Sequence, residues 1–389
     1  MKKVLSIMGT RPEIIKMAPV VRELQKYSDI ESIVLATSQH REMADQMFRE
    51  FAITPDIDLD IMIPNQTLAY VTSRIASDME STFKKINPDV ILVQGDTTSA
   101  CICALIAFYH KIPVGHVEAG LRTYDPGFPF PEEINRQLIS RIATFNFVPT
   151  RRAMDNLLNE KTNRTTIYFT GNTVVDSLLY LLETRDELKN VSEMSADDGR
   201  VILVTAHRRE NFGAPMENIC GAINDIAERF DDVKVVFPVH PNPNVREMVY
   251  NFLSGNSRIE LIEPLDYTSL IKVMASATVI LTDSGGIQEE SPTLHKPVLV
   301  LRNETERPEV VEAGGAILVG PNREVIVRET SSLLTDRDKY RSMVNIKNPF
   351  GDGKAAPRII EILRNYFNLD IEEATRPLEE YYAAAGDSK

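Results

Sequence analysis

Short apolar runs and longer amphipathic segments alternate along most of the chain. Runs such as residues 3–8 and 89–94 are rich in Val, Ile and Leu, which predicts buried strands. Between such runs, apolar residues recur at helical spacing, as at Ile14, Met17 and Val21. Strands that alternate with helices in this way predict parallel β/α/β units.

The pattern predicts two successive series of these units. Strands are predicted at residues 3–8, 33–37, 89–94, 113–117, 146–148 and 167–170, and again at 201–205, 233–239, 259–262, 278–281, 297–301 and 316–319. Helices are predicted, among others, at residues 68–86, 172–182, 216–230, 267–275 and 355–367. Residues 184–199 are charged and lack apolar periodicity, so we predict that the linker lies there.

A chain of 389 residues is longer than one hydrophobic core usually supports. We therefore predict an α/β fold of two doubly wound domains with a cleft between them. Residues 1–171 form the first predicted domain, joined by the C-terminal helix at residues 353–367. Residues 172–352 form the second predicted domain, and residues 368–389 form a tail.

Composition narrows the classes of function. The formal net charge of -13 disfavours nucleic acid and anionic membranes as partners, except at locally basic sites. The first apolar run is too short for a signal peptide, and no later run approaches the roughly 18 residues that span a bilayer, so we expect a cytoplasmic protein. Cys101, Cys103 and Cys220 match neither a disulfide framework nor a zinc pattern, so we expect buried free thiols and no metal.

The segment 282–290, with the sequence TDSGGIQEE, lies at a predicted strand-to-helix turn. Open α/β sheets bind ligands at such turns. After Ser284, Gly285 and Gly286 leave room for an anion at the start of the helix. Glu289 and Glu290 follow about one turn later, where they could accept hydrogen bonds from a ribose diol. The alternative is an ordinary glycine-rich turn before a solvated acidic helix, since the spacing is not that of a P-loop or a GxGxxG motif.

Other chemically capable residues also follow predicted strands. They are Arg11 and Lys16, Asp96, Glu118 with Arg122, His207 and His240. Each has an ordinary alternative as a solvated charge or a helix cap, and Glu132 at a helix start could simply complement the helix dipole. Their convergence at the carboxyl ends of strands favours one shared site, with a diphosphate next to a group of carboxylates. Three acids and a histidine indicate proton transfer near a weakly acidic carbon.

Ten ordered motifs resemble those of a known family. They are GTRPEIIK from Gly9, QHRE from Gln39, GDTTS from Gly95, GHVEAGLRT from Gly115, PFPEEINR from Pro129, TGNTVVD from Thr170, TAHRREN from Thr205, PVHPNPNVRE from Pro238, DSGGIQEE from Asp283 and GDGKA from Gly351. From residue 3 to about residue 366, the chain resembles the non-hydrolysing UDP-N-acetylglucosamine 2-epimerases of bacteria and archaea. That family has two Rossmann-like domains in the GT-B arrangement, which agrees with the predicted architecture.

The resemblance implies inversion at C2 of the sugar without a redox cofactor. Loss of the C2 proton and of UDP from C1 would give an enzyme-held 2-acetamidoglucal. UDP would add back after reprotonation on the other face, which would give UDP-N-acetylmannosamine. The sequence has no GxGxxG fingerprint for NAD, in agreement with this chemistry. The resemblance also implies a homodimer that supplies surface-polysaccharide precursors.

Matching motifs imply roles for single residues. The catalytic acids would be Asp96, Glu118 and Glu132, without an assignment of each acid to a face of the sugar, and the catalytic histidine would be His207. The residues that bind UDP would be Arg11, Lys16, Arg136, Ser284, Gly285, Gly286 and Glu290, of which Glu290 would hold the ribose. Residues 263–270 would hold the uracil.

A second, activating substrate site is a further implication of the resemblance to bacterial members. Its residues would be Gln39, Glu42, Gln66, Arg208 and His240. The chain has Glu42 and Asn65 where some regulated members have Gln and Arg.

Three alternative functions share parts of the pattern. A hydrolysing 2-epimerase, which releases UDP and free N-acetylmannosamine, would share nearly every motif. A GT-B glycosyltransferase would share the nucleotide site but requires no proton chemistry at C2. A noncatalytic nucleotide-sugar sensor would not need three acids beside a histidine, so the clustered acids favour an epimerase over the transferase and the sensor.

Overall fold

The computed structural model describes residues 1–37, 41–63, 66–189, 199–370, 375 and 377–379. The chain forms two compact units. Unit 1 comprises Met1–Tyr180 with Phe350–Lys389, and unit 2 comprises Leu181–Pro349. Each unit contains a parallel sheet flanked by helices, so the predicted α/β fold class with two Rossmann-like, doubly wound domains is confirmed.

The strands follow the predicted series closely. In unit 1 they are β1 (Lys2–Met8), β2 (Ile30–Ala36), β3 (Ile57–Asp58), β4 (Val90–Gln94), β5 (Val114–Val117), β6 (Phe145–Val148) and β7 (Ile167–Phe169). In unit 2 they are β8 (Arg200–Thr205), β9 (Val233–Pro238), β10 (Ile259–Ile262), β11 (Val279–Thr282), β12 (Val298–Val300) and β13 (Ala316–Leu318).

The helices connect these strands. They are α1 (Arg11–Leu24), α2 (Arg41–Glu50), α3 (Leu68–Ile86), α4 (Thr98–Tyr109), α5 (Glu132–Ile142), α6 (Arg151–Asn159), α7 (Thr173–Thr184), α8 (Asp186–Lys189), α9 (Ala214–Arg229), α10 (Pro243–Leu253), α11 (Tyr267–Ser276), α12 (Gly285–Glu290), α13 (Pro308–Glu312), α14 (Arg323–Thr335), α15 (Arg337–Val344) and α16 (Ala355–Tyr366).

The strand order of each sheet defines a switch point. Among the described residues, unit 1 has the order β3-β2-β1-β4-β5-β6-β7 and unit 2 the order β10-β9-β8-β11-β12-β13. In unit 1 the order reverses between β1 and β4, and in unit 2 between β8 and β11. Ligands of open α/β sheets bind beyond the carboxyl ends of the strands at this point. The turns after β1, β4, β8 and β11 are therefore the places to examine for a site.

The turns after β1, β4, β8 and β11 follow strands whose apolar residues are mostly buried in the core of each unit. All five residues of β4 are buried, as expected for a parallel strand that is covered on both faces. Ile7 and Val93 of unit 1 pack in one core cluster, and Val204 and Leu281 of unit 2 pack in another. The in-register parallel pairing of β8 with β11, which ends at Thr205 opposite Thr282, brings the two following turns to the same edge of the sheet.

Helix α16 attaches the C-terminal part of the chain to α7. The backbone N–H groups of Ala355 and Ala356 donate to the Asp176 carboxylate at 3.2 and 2.8 Å, so this side chain satisfies the first turn of α16. Gly353 has φ +76°, and a Cβ there would lie 2.3 Å from Leu179. Unit 1 therefore combines chain segments that precede and follow unit 2 in the sequence, and α16 belongs to the segment that follows it.

The unit boundaries lie at residues 180/181 and 349/350, whereas the sequence analysis placed them at 171/172 and 352/353. The first boundary falls inside α7, because this helix continues without a break through that position. The predicted linker at residues 184–199 includes α8, and residues 190–198 lie outside the described part of the chain. Most of the predicted tail also lies outside it.

We predict that Asp176 makes stability depend on pH. Burial raises the pKa of its carboxyl to about 7, against two backbone N–H groups that favour the charged form. In the unfolded chain the group ionises near about 4. The folded state thus holds this proton more tightly, and the resulting stabilisation is complete below about pH 4 and is lost as the pH rises through about 7.

Asp176→Asn removes this titration. The free energy of unfolding of the variant, measured in urea relative to the wild type, should rise by about 2 kcal/mol between pH 5 and pH 7. Asp155→Asn, an exposed change on α6, serves as the matched control and should show no such trend. A difference between Asp176→Asn and the wild type that stays constant across this range would contradict the prediction.

Candidate active site

A buried acid ties the two switch-point turns of unit 1 together. Oε2 of Glu13 accepts hydrogen bonds from the backbone N–H groups of Gly9 at 2.9 Å and Thr10 at 2.7 Å. Its Oε1 accepts from Oγ1 of Thr97 at 2.6 Å, and burial raises the pKa of the Glu13 carboxyl. Because Glu13 occupies the amides of Gly9 and Thr10, an anion at this turn would be held by side chains rather than by these two amides.

Asp96 follows β4 and pairs with a buried arginine of α5. Its Oδ2 lies 2.9 Å from Nη2 of Arg136, whose side chain is 9% exposed. The amide of Asn135 donates to the backbone carbonyl of Asp96 at 2.9 Å. Glu132, the first residue of α5, is half-buried. The beginning of α5 thus supplies an acid, an amide and a cation in the vicinity of Asp96.

Glu118 follows β5 and pairs with a lysine of α1. The ammonium of Lys16 donates to its carboxylate, and the two side chains are only 10% and 8% exposed. Glu118 has a φ of 67°, a left-handed conformation that is uncommon outside glycine and costs energy unless surrounding structure enforces it. Arg11 opens the same helix that carries Lys16. Two of the three predicted acids are therefore each paired with a predicted phosphate-binding cation.

His116 lies beside these acids but is neutral and structural. Its Nε2–H donates to the carbonyl of Gly95 at 2.7 Å, and burial lowers its pKa to about 3. It therefore supports the turn that carries Asp96.

Arg122, another candidate from the sequence, has a structural role. Its buried guanidinium donates to the Glu160 carboxylate at 2.7 and 3.0 Å.

Glu133, the neighbour of Glu132, holds the loop that precedes α5. Its buried carboxylate accepts from the backbone N–H groups of Thr123 at 3.0 Å and Tyr124 at 3.1 Å. The side chain of Gln137 donates to it at 2.7 Å. The two consecutive glutamates therefore differ in role, since Glu133 is committed to the loop.

In unit 2, Asp283 connects the two switch-point turns. Its buried Oδ2 accepts from the backbone N–H groups of His207 and Arg208, both at 2.8 Å, and from the amide of Asn211 at 2.9 Å. Its Oδ1 lies 3.2 Å from Nδ1 of His207. Burial opposes ionisation, but these contacts hold the pKa of Asp283 below its usual range. The contact places the carboxylate against Nδ1 and leaves Nε2 of His207 for other partners.

The residues predicted for an activating site are only partly described. His240 stacks on His207 with ring centroids 5.6 Å apart and an interplanar angle of 12°. Burial and the nearby His207 lower the pKa of His240. Arg208 is half-buried next to His207, and Gln66 is half-buried before α3. Gln39 and the side chain of Glu42 lie outside the described part of the chain.

Helix α12 begins at the glycine pair, with Ser284 as its N-cap residue. The first-turn N–H groups of any helix have no intrahelical acceptor. The guanidinium of Arg307 lies beside this turn, 3.9 Å from where a Cβ of Gly285 would be, and it donates to Glu289. At the other end of α12, Glu290 accepts a hydrogen bond from Oη of Tyr267 at 2.7 Å.

Three further properties of the described ranges bear on function. Within them, no group of three or more His, Cys, Asp and Glu side chains could hold a metal ion. No helix in them has the length and apolar character needed to cross a bilayer. Cys101, Cys103 and Cys220 are free and buried.

The structural roles of Glu13, Asp283 and Tyr267 were not predicted from the sequence. Glu13 had a recognisable signal, because Thr10 and Glu13 have the spacing of a capping box. Asp283 had a weaker one, since it directly follows a buried strand in the glycine-rich segment. Nothing in the sequence indicated that Tyr267 contacts Glu290, which lies on a different helix.

Comparison with known proteins places these features in a family. The family model described as UDP-N-acetylglucosamine 2-epimerase matches residues 22–364. A Bacillus subtilis protein named UDP-N-acetylglucosamine 2-epimerase is 49% identical over 371 residues, which cover 95% of this chain and 97% of that protein. The Escherichia coli K12 protein of the same name is 49% identical over 372 residues, with 93% and 98% coverage.

A solved structure gives the same result. The crystal structure of UDP-GlcNAc 2-epimerase from Neisseria meningitidis bound to UDP-GlcNAc matches with a TM-score of 0.86 and 46% identity. The match covers 93% of this chain and 100% of that chain. The family resemblance found in the sequence is confirmed, and the chain belongs to the UDP-N-acetylglucosamine 2-epimerase family.

Proposed function

We propose that the protein interconverts UDP-N-acetylglucosamine and UDP-N-acetylmannosamine by inversion at C2. The observation that carries this proposal is the pairing of acids with cations in unit 1, Asp96 with Arg136 and Glu118 with Lys16. Proton transfer at a carbon needs a base or an acid, and a carboxyl group can serve as either, while cations stabilise a departing diphosphate. Unit 1 provides both in direct contact.

The proposal assigns the uracil, the ribose and some of the diphosphate contacts to residues of unit 2. Ser284, Gly285 and Gly286 would bind the diphosphate at the start of α12, where the N–H groups and the helix dipole favour negative charge. Glu290 would bind the ribose, and residues 263–270 the uracil. The bound UDP-GlcNAc of the Neisseria meningitidis relative supports a nucleotide sugar as the ligand.

The proposed reaction is an elimination followed by a re-addition. A carboxylate among Asp96, Glu118 and Glu132 takes the C2 proton, and the electron pair of that C–H bond forms the C1–C2 double bond. The C1–O bond breaks, and its electron pair leaves with UDP. Proton delivery to the opposite face of C2 and return of the UDP oxygen to C1 then give the epimer, with no net oxidation or reduction.

The ion pairs of unit 1 would link binding of the diphosphate to proton abstraction. A diphosphate bound by Arg136 and Lys16, as the resemblance implies, would compete with Asp96 and Glu118 for these cations. A carboxylate that loses a cationic partner becomes a stronger base. Arrival of the substrate would therefore activate the acids in the ionised form that proton abstraction requires.

His207 would assist the departing diphosphate through Nε2, because Asp283 engages Nδ1. A carboxylate in this position holds the imidazole in one orientation and stabilises positive charge on the ring. The homodimer, the activating site and the supply of surface-polysaccharide precursors remain predictions from the resemblance, and the cytoplasmic location remains a prediction from the hydrophobic pattern of the sequence.

Incubation with UDP-N-acetylglucosamine in deuterated water tests the proposal. Proton NMR should show deuterium at C2 and accumulation of UDP-N-acetylmannosamine to an equilibrium mixture. Release of free N-acetylmannosamine and UDP would instead identify the hydrolysing enzyme. An unchanged substrate would contradict the proposal and favour the transferase or the sensor.

We predict that Asp96→Asn and Glu132→Gln retain UDP binding but lose turnover by about 100-fold or more, the usual scale for removal of a catalytic acid or base. Calorimetric UDP titration and the NMR assay measure the two quantities separately. Asp155→Asn on α6 is the control, since this exposed aspartate lies away from the candidate residues in the sequence and should leave both unchanged. Full turnover in both site variants would remove these acids from the mechanism.

We further predict that Asp283 acts through His207. Asp283→Asn should lower turnover by at least about tenfold, since an amide holds the imidazole less firmly and carries no charge. In a double-mutant cycle, addition of Asp283→Asn to His207→Asn should cause little further loss. Independent, multiplicative losses would show that Asp283 serves only the backbone of the turn.

A further inference from the structure

We propose that Tyr267 is a specificity-determining residue that fixes the Glu290 carboxylate for recognition of a ribose rather than a deoxyribose. This inference rests on the proposed function, because it deepens the assignment of Glu290 to the ribose of a uridine nucleotide. Its ligand class is a ribonucleoside diphosphate with both sugar hydroxyls present.

The hydrogen bond between Tyr267 and Glu290 is buried. Oη of Tyr267 donates to Oε1 of Glu290 at 2.7 Å, and the two residues are 1% and 6% exposed. A hydrogen bond to a carboxylate is stronger than one between neutral groups, and burial strengthens it further. Tyr267 therefore restrains which way the carboxylate faces.

The two residues also occupy a defined place between other subsites. Tyr267 is the first residue of α11 and lies within residues 263–270, which are assigned to the uracil. The preceding Asp266 accepts from the N–H of Ser269 at 2.7 Å, which fixes this helix start. Glu290 ends α12, whose first residues are assigned to the diphosphate. In a nucleotide the ribose joins the base to the phosphate, and the Tyr267–Glu290 bond joins the corresponding two helices.

Selectivity follows from the chemistry of the carboxylate. An ionised carboxylate only accepts hydrogen bonds, and the ribose 2′-OH and 3′-OH can each donate one. A deoxyribose leaves the buried acceptor without that donor, and such a loss discriminates strongly against the analogue. This discrimination requires a fixed carboxylate, because a mobile one can turn to another donor. Tyr267 supplies that restraint without touching the reacting carbons.

The test uses the intact protein with UDP and 2′-deoxy-UDP as calorimetric ligands, together with steady-state kinetics on UDP-N-acetylglucosamine. Tyr267→Phe removes a single oxygen. We expect the preference for UDP over 2′-deoxy-UDP to fall about tenfold and KM to rise about tenfold, with kcat within about twofold of wild type. Tyr340→Phe, a tyrosine of α15 in the same unit, is the matched control and should change neither quantity.

A second variant separates positioning from folding. Glu290→Gln should itself reduce the preference, and addition of Tyr267→Phe to it should reduce the preference no further. Equal weakening of both ligands in Tyr267→Phe, or an unchanged preference, would overturn the inference. Failure of the proposed function is distinguishable, because a wild type that binds UDP selectively but leaves the nucleotide sugar unchanged would contradict the epimerase and not the ribose selection.

Discussion

The cost of burying charge governs the candidate site more than any other constraint. An ionised side chain that leaves water must find an opposite charge or several hydrogen bonds. Lys16 with Glu118 and Arg136 with Asp96 meet this demand as pairs, and Asp283 meets it with donors from the turn after β8. Under the proposed function, a substrate phosphate would draw a cationic partner away and leave a carboxylate less stabilised. The ion pairs that hold the turns in place would then also prepare the acids for reaction.

The fold makes such pairing possible because parallel strands end together. Burial of β4 on both faces and the register of β8 with β11 bring separate turns to one edge of each sheet. Glu13 in unit 1 and Asp283 in unit 2 then bridge the two turns of their own switch point. Two unrelated positions in the sequence perform the same task, which is to join two loops through one buried acid.

The sequence predicted the alternation of strands and helices and the turns that carry the acids, because apolar periodicity and strand ends are local features. It did not predict α6, α10, α14 or α15, although the buried Val245, Val249 and Leu253 of α10 recur at helical spacing. The sequence also did not predict which side chains contact each other. The contact of Tyr267 with Glu290 and the pairing of Arg122 with Glu160 depend on how separate elements pack, and no local pattern records that packing.

Elimination and re-addition require that the bond between C1 and the UDP oxygen breaks and re-forms during epimerisation. Positional isotope exchange tests it most directly. UDP-N-acetylglucosamine carrying ¹⁸O in the oxygen between C1 and the β-phosphorus is incubated with the enzyme and followed by ³¹P NMR. We predict that the label spreads to the non-bridging oxygens of the β-phosphate, because a released phosphate group can rotate before re-addition. Deuterium entry at C2 with the label still in the bridge would contradict the elimination mechanism.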